Sequence, residues 1–400
     1  MLTRRYFLRA SAIAVAGIGA APSWLVRAAA PGENKGKMLI AIFQRGAADG
    51  LNIVVPFFEK RYYALRPTIA VPEPGKNNGG IDLDGRFALH PSLQQLKPLW
   101  DKGQLGIIHA SGSPDGNRSH FEAQDQMESG TPGRTTEDGW LSRALPPITA
   151  GTSAIRAVAM GARMPRTLRG NAGAIAVSDL QQFQARNQDA ASILETMYTG
   201  AADSQLGAQG KRTFEALKMI ESINRTPYTP STGAQYFGEF GTGLRQIARL
   251  IKSGAGVEAA FAEIGGWDHH SNENGQLPQL LTQFGNSLAA FVLDMGDRMQ
   301  DIVLVTMSEF GRTAAEDGNN GTDHGHGNAM FVLGGPVRGG RIFGQWPGLE
   351  PEQLFEKRDL AVTTDFRSVL GELITAHLGQ SAAKVFPGFS AGAPLGLLKT

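Results

Sequence analysis

Short apolar runs separated by polar, glycine-rich loops recur along the chain, and their lengths predict strands. The clearest run, IVLVTM at residues 302–307, is too short for an ordinary helix and rich in β-branched residues. Such a run is typical of a strand that is buried on both faces of a sheet. Other apolar runs predict strands at residues 38–44, 105–109, 155–160, 174–177, 257–264 and 329–333.

Segments with apolar residues at helical spacing lie between these runs and predict helices. The longest covers residues 276–299 and joins two predicted strands in a β-α-β order, which favours an α/β fold with parallel strands. Two further helices are predicted at residues 211–223 and 236–251. They belong to a region of about residues 179–255 that carries no chemical motif, and we interpret it as a helical insertion that covers the sheet.

The N-terminal sequence TRRYFLR, at residues 3–9, precedes a weakly apolar run that ends near residue 21. It resembles the S/T-R-R-x-F-L-K pattern of a twin-arginine export signal. With cleavage after Ala28, residues 1–28 are the signal peptide and residues 29–400 form one domain. The alternative is an uncleaved membrane anchor, but the run is shorter than the ~20 residues that span a bilayer. We therefore expect export by the twin-arginine translocase, a periplasmic location and no stable membrane span.

Composition excludes several kinds of site. The chain has 400 residues and no cysteine, which rules out disulfides, thiolate zinc sites, iron–sulfur clusters and a cysteine nucleophile. Removing the four arginines of the leader changes the formal net charge from +1 to −3. No basic stripe with interleaved aromatic residues occurs, so a nucleic-acid partner is not expected.

Carboxylate and imidazole side chains follow the predicted strands. The candidate metal ligands are Asp49, Asp268, His270, Glu309 and His324. Because ligands bind at the carboxyl ends of strands in open α/β sheets, these side chains are expected to meet. Oxygen and nitrogen ligands without sulfur suit a divalent metal: zinc or manganese first, with calcium or magnesium as further candidates. For Asp49 alone, the alternative is an aspartate that caps a turn.

A candidate nucleophile follows the predicted strand at residues 105–109. Ser119 and Glu122 have the spacing of a helix capping box. Alternatively, Ser119 lies at the positive end of a helix beside Arg118, where a phosphate or sulfate group is favoured. The two interpretations are compatible, because a metal can activate a hydroxyl at a helix start. Arg312 is a second candidate for holding the anion.

Six segments carry a family resemblance: RGAADGLN, NRSHFEAQDQME, GWDHH, SEFGR, GTDHG and TTDFR. In this order they resemble the exported DUF1501 family of unknown function, distantly similar to the alkaline phosphatase and sulfatase superfamily. The resemblance implies an alkaline-phosphatase-like three-layer sandwich, with a largely parallel sheet between helices and two metal ions at the strand ends. It also implies a nucleophile at Ser119 and metal ligands at Asp49, Asp268, His270 and His324, with Glu309 in place of an aspartate.

The sequence departs from that superfamily at two places. Phe310 stands where a histidine is expected and cannot bind metal, so the second metal site is expected to be weaker or absent. His269 and His326 lie in the same loops and are candidate replacements. Sulfatases need Cys or Ser two residues before a proline, whereas Gly112 stands two residues before Pro114, so a formylglycine sulfatase is not expected.

These patterns predict a periplasmic metal-dependent hydrolase or transferase acting on phosphate or sulfate esters of a small molecule or polymer. Ser119 would attack beside the metal, while Arg118 and Arg312 hold the anion. The alternative is a non-catalytic metal-binding scaffold or binding protein of the cell envelope. No G-x-S-x-G or H-E-x-x-H motif occurs, which disfavours a conventional serine hydrolase or zinc protease.

Overall fold

A computed structural model describes residues 36–134, 136–183 and 205–399. The predicted export signal at residues 1–28 lies outside these ranges, as do residues 184–204 of the predicted insertion. Within the ranges, no helix combines the length and apolar character that crossing a membrane requires.

The strands and helices follow the predicted order. The strands are β1 (Met38–Gln44), β2 (Val54–Val55), β3 (Ile81–Asp82), β4 (Ala88–Leu89), β5 (Leu105–Gly112), β6 (Ala157–Met160), β7 (Ile175–Val177), β8 (Ala259–Ile264), β9 (Ile302–Met307), β10 (Asn328–Gly334), β11 (Arg341–Phe343) and β12 (Thr364–Asp365). The α-helices are α1 (Gly50–Ile53), α2 (Lys60–Leu65), α3 (Lys97–Asp101), α4 (His120–Ser129), α5 (Trp140–Arg143), α6 (Gln205–Asn224), α7 (Gly238–Lys252), α8 (Glu273–Met295), α9 (Phe366–Glu372) and α10 (Ala382–Val385). Strands β1 and β9 have the predicted bounds.

The central sheet has the strand order β11-β5-β10-β9-β1-β8-β6-β7, and β12 also pairs with β5. Its neighbouring strands are parallel except for the two pairs that involve β10. Helix α8 connects β8 to β9, and β1 lies between these two strands. A separate small antiparallel sheet has the order β2-β4-β3.

Both faces of the central sheet are covered, as β1 shows. Its alternate residues Met38, Ile40 and Ile42 enter one hydrophobic core, and Leu39, Ala41 and Phe43 enter another. Helices α7 and α8 pack in the first core, whereas α5 and α9 pack in the second. Because each apolar face of the sheet is buried under helices, the domain has three layers. The predicted α/β class with a largely parallel sheet is confirmed.

Helix α7 lies within the predicted insertion, and it belongs to the helical layer that covers the sheet. Its residues Phe240, Leu244 and Ile247 are buried in the same core as β1. The apolar side chains of this helix recur at helical spacing and need a surface to cover them. Strands β6 and β8 provide that surface, so α7 packs against the sheet directly.

Strand direction determines where the functional loops meet. Strands β1, β5, β8 and β9 run in the same direction, so their carboxyl ends lie at one edge of the sheet. Strand β10 runs the other way and begins at this edge, so the loop at residues 308–327 both starts and ends there. Loops from four distant parts of the chain therefore come together at a single edge, as expected for a ligand site in an α/β sheet.

Candidate metal centre

Four side chains from three of these loops converge at the carboxyl edge. His120 is the first residue of α4, Asp268 and His270 follow β8, and His324 precedes β10. The Nε2 atom of His324 lies 3.0 Å from the Nε2 atoms of both His120 and His270. The Asp268 carboxylate lies 2.9 Å from His270 Nε2, 3.2 Å from His324 Nε2 and 3.4 Å from His120 Nε2. A tetrahedral ion with 2.0–2.1 Å bonds separates its ligands by about 3.3 Å, so the spacing suits a metal.

Neighbouring groups orient two of these imidazoles toward the shared centre. His120 Nδ1 lies 2.7 Å from the Glu309 carboxylate, and His324 Nδ1 lies 3.1 Å from the carbonyl oxygen of Arg118. Both partners are acceptors, so each Nδ1 carries the hydrogen and each neutral ring has its lone pair on Nε2. Two lone pairs that face each other at 3.0 Å require a cation between them. A metal ion meets that requirement, and so does a proton on His120.

The pKa values of the two histidines differ in direction. The hydrogen bond with Glu309 and its charge raise the pKa of His120. Burial lowers the pKa of His324, and the nearby charges of His120 and Arg312 lower it further. His324 is therefore a neutral candidate ligand at pH 7, and at His120 a metal ion would compete with a proton. A metal ion at this centre would bind more weakly in acidic solution, because its ligands must be deprotonated.

Arg312 fixes the aspartate of this cluster. Its Nη1 lies 2.7 Å from Asp268 Oδ1, its Nε donates to Thr322 Oγ1 at 3.0 Å, and its Nη2 donates to the Thr322 carbonyl. Burial alone would raise the pKa of Asp268, but the hydrogen bond and charge of Arg312 outweigh burial and lower it. The Arg312 side chain has no exposed surface. This position suits a residue that orients Asp268, and it does not suit the predicted direct contact with a substrate anion.

Two overlapping sets of ligands have the spacing of a metal site. One is His120, Asp268 and His324, and the other is His270, Asp323 and His324. His324 belongs to both, and its Nδ1 is already bonded to the Arg118 carbonyl. One imidazole nitrogen binds one ion, so these sets describe a single metal centre with alternative ligands. Asp268 and His270 are about half exposed, at 43% and 45% of their side-chain surface, which leaves this centre accessible from solvent.

Glu309 lies beside the cluster and does not point into it. Its Oε1 accepts hydrogen bonds from His120 Nδ1, from Gln124 Nε2 at 2.9 Å and from the Gly46 amide at 2.9 Å. Its Oε2 accepts a hydrogen bond from Ser308 Oγ at 2.9 Å. Burial would raise the pKa of Glu309, but the hydrogen bonds from His120 and Gln124 lower it. Glu309 therefore does not take the ligand position predicted for it, because its oxygens orient His120.

Replacing Glu309 by glutamine is expected to weaken zinc binding by about 10–100-fold, the usual effect of losing an outer partner of a metal-bound histidine. The amide keeps the shape of the side chain but is a neutral acceptor for His120. Titration of the metal-free protein with zinc measures the change. Glu263→Gln is the control, since this carboxylate pairs with Arg45 and is absent from both ligand sets. Equal zinc affinity in Glu309→Gln and wild type would contradict this role.

Three further residues of these loops lie outside both ligand sets. The Phe310 ring is buried, and its centroid lies 5.0 Å from the ring centroids of both His120 and His324. His326 stacks on Phe355 at a centroid distance of 4.2 Å. His269 is buried, and its Nδ1 has no hydrogen-bond partner in the described ranges. Neither histidine appears in the two ligand sets, so neither replaces the ligand that Phe310 removes.

Ser119 lies at the start of α4, one residue before His120. Its backbone amide donates to Asn117 Oδ1 at 2.7 Å, whereas its side chain forms no capping hydrogen bond. Glu122 accepts a hydrogen bond from Asn117 instead of completing the predicted capping box. The Ser119 side chain is exposed at the positive end of a ten-residue helix, a position that favours negative charge.

Arg118, the other predicted anion-binding residue, is paired with two carboxylates. Its Nη2 lies 2.6 Å from Glu356 Oε2 and 2.5 Å from Asp359 Oδ2. Its backbone carbonyl accepts the hydrogen bond from His324. This placement gives Arg118 a role in positioning His324, while its positive charge is already compensated.

Asp49 lies in a different cluster. Its carboxylate pairs with Arg66, which approaches it at 2.5 Å through Nη1 and at 3.0 Å through Nη2, and both side chains are fully buried. Asp49 Oδ1 also accepts the Leu51 amide and caps α1. Burial would raise the pKa of Asp49, but Arg66 lowers it. The predicted ligand role does not fit this position, because Arg66 contacts both carboxylate oxygens of Asp49. Its place at the start of α1 agrees with the alternative, an aspartate that caps a turn.

Glu273 is buried beside Asp49 and has the opposite pKa shift. Burial and the charge of Asp49 raise the pKa of Glu273 well above its usual value. Its carboxyl group also bonds to Asn52 Nδ2 at 2.9 Å. The folded protein therefore holds a proton on Glu273 at a pH at which the unfolded chain releases it.

The free energy of unfolding of Glu273→Gln, relative to that of wild type, is expected to increase as pH rises. A carboxyl whose pKa is raised on folding loses stability from its unfolded pKa upward, by about 1.4 kcal/mol for each pH unit up to the folded pKa. The neutral amide does not titrate. Melting temperatures from pH 4.5 to 8 measure the difference, with Glu352→Gln as the exposed control. A constant difference between Glu273→Gln and wild type across this range would contradict a protonated Glu273.

Sequence patterns did not identify His120 or Asp323 as candidate ligands. His120 follows Ser119 directly, and the spacing of Ser119 and Glu122 indicates a helix cap without indicating a role for the histidine between them. The available signal was a histidine at the first position of a helix that follows a central strand. Asp323 precedes His324 in the glycine-rich loop, and its carboxylate lies 3.8 Å from His270 Nδ1.

Comparisons with known proteins give a family and distant structural similarities. A family model described as a protein of unknown function, DUF1501, matches residues 100–383. No curated protein matches the sequence.

Among solved structures, the PH0037 protein from Pyrococcus horikoshii is 12% identical, with a TM-score of 0.31 over 75% of this chain and 86% of that chain. Ps i-CgsB, solved with k-i-k-neocarrahexaose, is 8% identical, with a TM-score of 0.39 over 88% of this chain and 74% of that chain. The alkaline phosphatase from the Antarctic bacterium TAB5 is 12% identical, with a TM-score of 0.31 over 76% of this chain and 92% of that chain.

Proposed function

The chain belongs to DUF1501, a family of unknown function, and from this premise we propose that it is a metal-dependent hydrolase or transferase of phosphate or sulfate esters. One observation carries the proposal. The imidazoles of His120, His270 and His324 and the carboxylate of Asp268 lie close together at a solvent-accessible edge, and the exposed residue Ser119 directly precedes His120 in the chain. This combination joins a cation site to a candidate nucleophile.

The donor set indicates which ion would bind. Imidazole nitrogens favour zinc over calcium and magnesium, and the carboxylates of Asp268 and Asp323 also suit manganese. His120, Asp268 and His324 would hold the ion, with His270 and Asp323 as the alternative ligands beside His324. A bound divalent cation supplies positive charge that acidifies a nearby hydroxyl and stabilises negative charge developing on the ester group.

The surrounding residues have distinct parts in this proposal. Ser119 would attack the phosphorus or sulfur atom with its hydroxyl oxygen, at the helix end that favours anions, and release its proton to solvent. The bond to the ester oxygen breaks and the alcohol leaves with a proton from solvent. Water, or an acceptor alcohol in a transferase, then takes the group from Ser119 and restores the hydroxyl. Glu309 and the Arg118 carbonyl orient the imidazoles, and Arg312 orients Asp268. We place Arg118 and Arg312 around the site as positioning residues, because their guanidinium groups already contact acidic or carbonyl oxygens.

The N-terminal pattern extends the proposal to location. The twin-arginine signal at residues 1–28 would direct the folded protein through the twin-arginine translocase into the periplasm. Export in the folded state allows the metal to be bound before translocation. The ester substrate, a small molecule or a polymer, would then be met outside the cytoplasm.

The experiment compares turnover of phosphate monoesters, phosphate diesters and sulfate esters by zinc- or manganese-loaded wild type and Ser119→Ala. Loss of a covalent nucleophile should lower kcat by at least about 1,000-fold. Ser381→Ala is a matched control, since Ser381 also precedes a helix and forms no side-chain capping bond. Equal activity of wild type and Ser119→Ala would reject Ser119 as nucleophile, and an inactive metal-loaded wild type would reject the enzymatic proposal.

A non-catalytic metal-binding protein of the cell envelope is the second candidate. The observation in its favour is the number of protein donors near one point, since His270 lies 3.0 Å from His324 beside the set of His120, Asp268 and His324, and a structural zinc site needs four protein ligands. Here Asp268→Ala and His324→Ala would lower metal content and melting temperature with no reaction to lose. A folded double variant with wild-type metal content would exclude this candidate as well.

A further inference from the structure

We infer that Arg358 holds the anionic group of the ligand at this metal centre; this inference rests on the proposed function and deepens it. Arg358 lies in a tight turn at residues 355–359. Its Nη2 donates to the carbonyl oxygen of His324 at 2.5 Å, which places the guanidinium beside a metal ligand. Its Nη1 lies 3.9 Å from the carboxylate of Asp323, a member of one ligand set, so an oxyanion that approaches the metal from solvent would pass within reach of this arginine.

The guanidinium of Arg358 retains unused donors. Its Nε donates to Asp359 Oδ1 at 2.8 Å, and its Nη2 reaches Asp359 Oδ2 at 3.3 Å. Its Nη1 lies 3.9 Å from Asp323 Oδ2, which is beyond a hydrogen bond, and it forms no hydrogen bond within the described residues. The side chain is 41% exposed. The two N–H groups of Nη1 are therefore free to bind an oxyanion.

The other two arginines near the site are less suitable. Arg312 is completely buried and bonded to Asp268 and Thr322. Arg118 contacts two carboxylates of the turn, Glu356 and Asp359. Arg358 also faces two carboxylates, Asp359 and, at 3.9 Å, Asp323, but its side chain is 41% exposed whereas that of Arg118 is 26% exposed. The guanidinium of Arg358 is therefore the more accessible of the two.

The turn that carries Arg358 has an unusual backbone. Glu356 and Lys357 are consecutive non-glycine residues with φ angles of 52° and 58°. Residues other than glycine rarely adopt this left-handed backbone conformation. Phe355 and Asp359 close the turn by exchanging backbone hydrogen bonds of 2.8 and 3.0 Å. Strained backbone of this kind often occurs at ligand-binding sites.

Two contacts hold the turn against the loop at residues 308–327, which supplies His324. The Phe355 ring stacks on His326, two residues after His324, at a centroid distance of 4.2 Å. The carbonyl of Arg358 accepts a hydrogen bond from the Ala314 amide at 3.1 Å. The turn is thereby held against the loop that supplies His324, and the partly exposed side chain of Arg358 lies next to that loop. The ligand class that fits is a tetrahedral oxyanion such as a phosphoryl or sulfuryl group.

The experiment measures binding of inorganic phosphate to the zinc-loaded full mature chain by calorimetry. Arg358→Gln should weaken phosphate binding at least about 10-fold, and Arg358→Lys should lose less because it keeps the charge but not the planar donors. Lys357→Gln is the matched control. It removes the same charge from the same turn, but within the described residues the Lys357 side chain forms no hydrogen bond or ion pair with the loop at residues 308–327. Zinc content and melting temperature are measured for each variant.

A wild-type-like phosphate affinity in Arg358→Gln would overturn the inference, as would equal weakening by Lys357→Gln or an absence of phosphate binding by wild type. If Arg358→Gln loses zinc, the test uses Arg358→Lys with full zinc content instead. A phosphate affinity of Arg358→Lys below that of wild type supports the contact, and an unchanged affinity overturns it. Phosphate binding that depends on Arg358 without ester turnover would reject the catalytic proposal alone. Turnover that is independent of Arg358 would reject this inference alone.

Discussion

Replacing His324 by alanine is expected to weaken zinc binding by at least about 100-fold, more than the loss of an outer-sphere partner. His324 belongs to both ligand sets, and its Nε2 lies within 3.0–3.2 Å of His120, His270 and Asp268. Calorimetric titration of the metal-free protein measures the affinity. Zinc should also raise the melting temperature of wild type and leave that of the variant unchanged, because ligand binding stabilises the folded state.

His326→Gln is the matched control for this prediction. It removes a histidine from the same loop, two residues away, but one whose ring stacks on Phe355 outside the ligand sets. We expect His326→Gln to retain zinc affinity within a few-fold of wild type. If His324→Ala also kept its zinc, the metal centre would have to lie elsewhere.

Replacing Arg66 by alanine is expected to lower the free energy of unfolding by about 3–5 kcal/mol, the usual effect of breaking a buried ion pair. The change leaves the Asp49 carboxylate buried without its partner. It also removes the hydrogen bonds that Arg66 donates to the carbonyls of Thr313 and Ala314 at 2.8 and 2.9 Å. Urea denaturation followed by circular dichroism measures the loss.

The exposed ion pair between Lys97 and Asp101 supplies the comparison. Its side chains are 30% and 55% exposed, so Asp101→Ala should cost less than about 1 kcal/mol. Arg66→Lys retains the charge but not the two-pronged contact, and we expect an intermediate loss. A loss below 1 kcal/mol in Arg66→Ala would show that Asp49 does not depend on its buried partner.

Local pattern was sufficient for the framework of the fold. The apolar runs of β1 and β9 have the predicted bounds because strands buried on both faces leave an uninterrupted apolar signal. The loops that follow parallel strands must lie at the same edge. Asp268, His270 and His324 were therefore expected near one another from spacing and strand order, and the structure brings them together.

Local pattern was insufficient for the partners of individual side chains. Asp49 and Glu309 follow strands at the same edge as the cluster, yet Asp49 pairs with Arg66 and Glu309 binds the outer nitrogen of His120. The direction of each side chain decides between a ligand and a supporting position. That direction depends on how the loops cross, which spacing along the chain does not encode.

The sequence by itself determined the α/β framework, the absence of any thiol chemistry and the supply of carboxylates and imidazoles at the strand ends. Only the tertiary structure decided which of these groups share a centre, because the contacts join residues that are far apart along the chain. Packing placed the Phe310 ring beneath His120 and His324, and it buried Arg66 against Asp49. Hydrogen bonds to Glu309 and the Arg118 carbonyl orient the Nε2 atoms of His120 and His324 toward one another, so that separate loops form one candidate cation site.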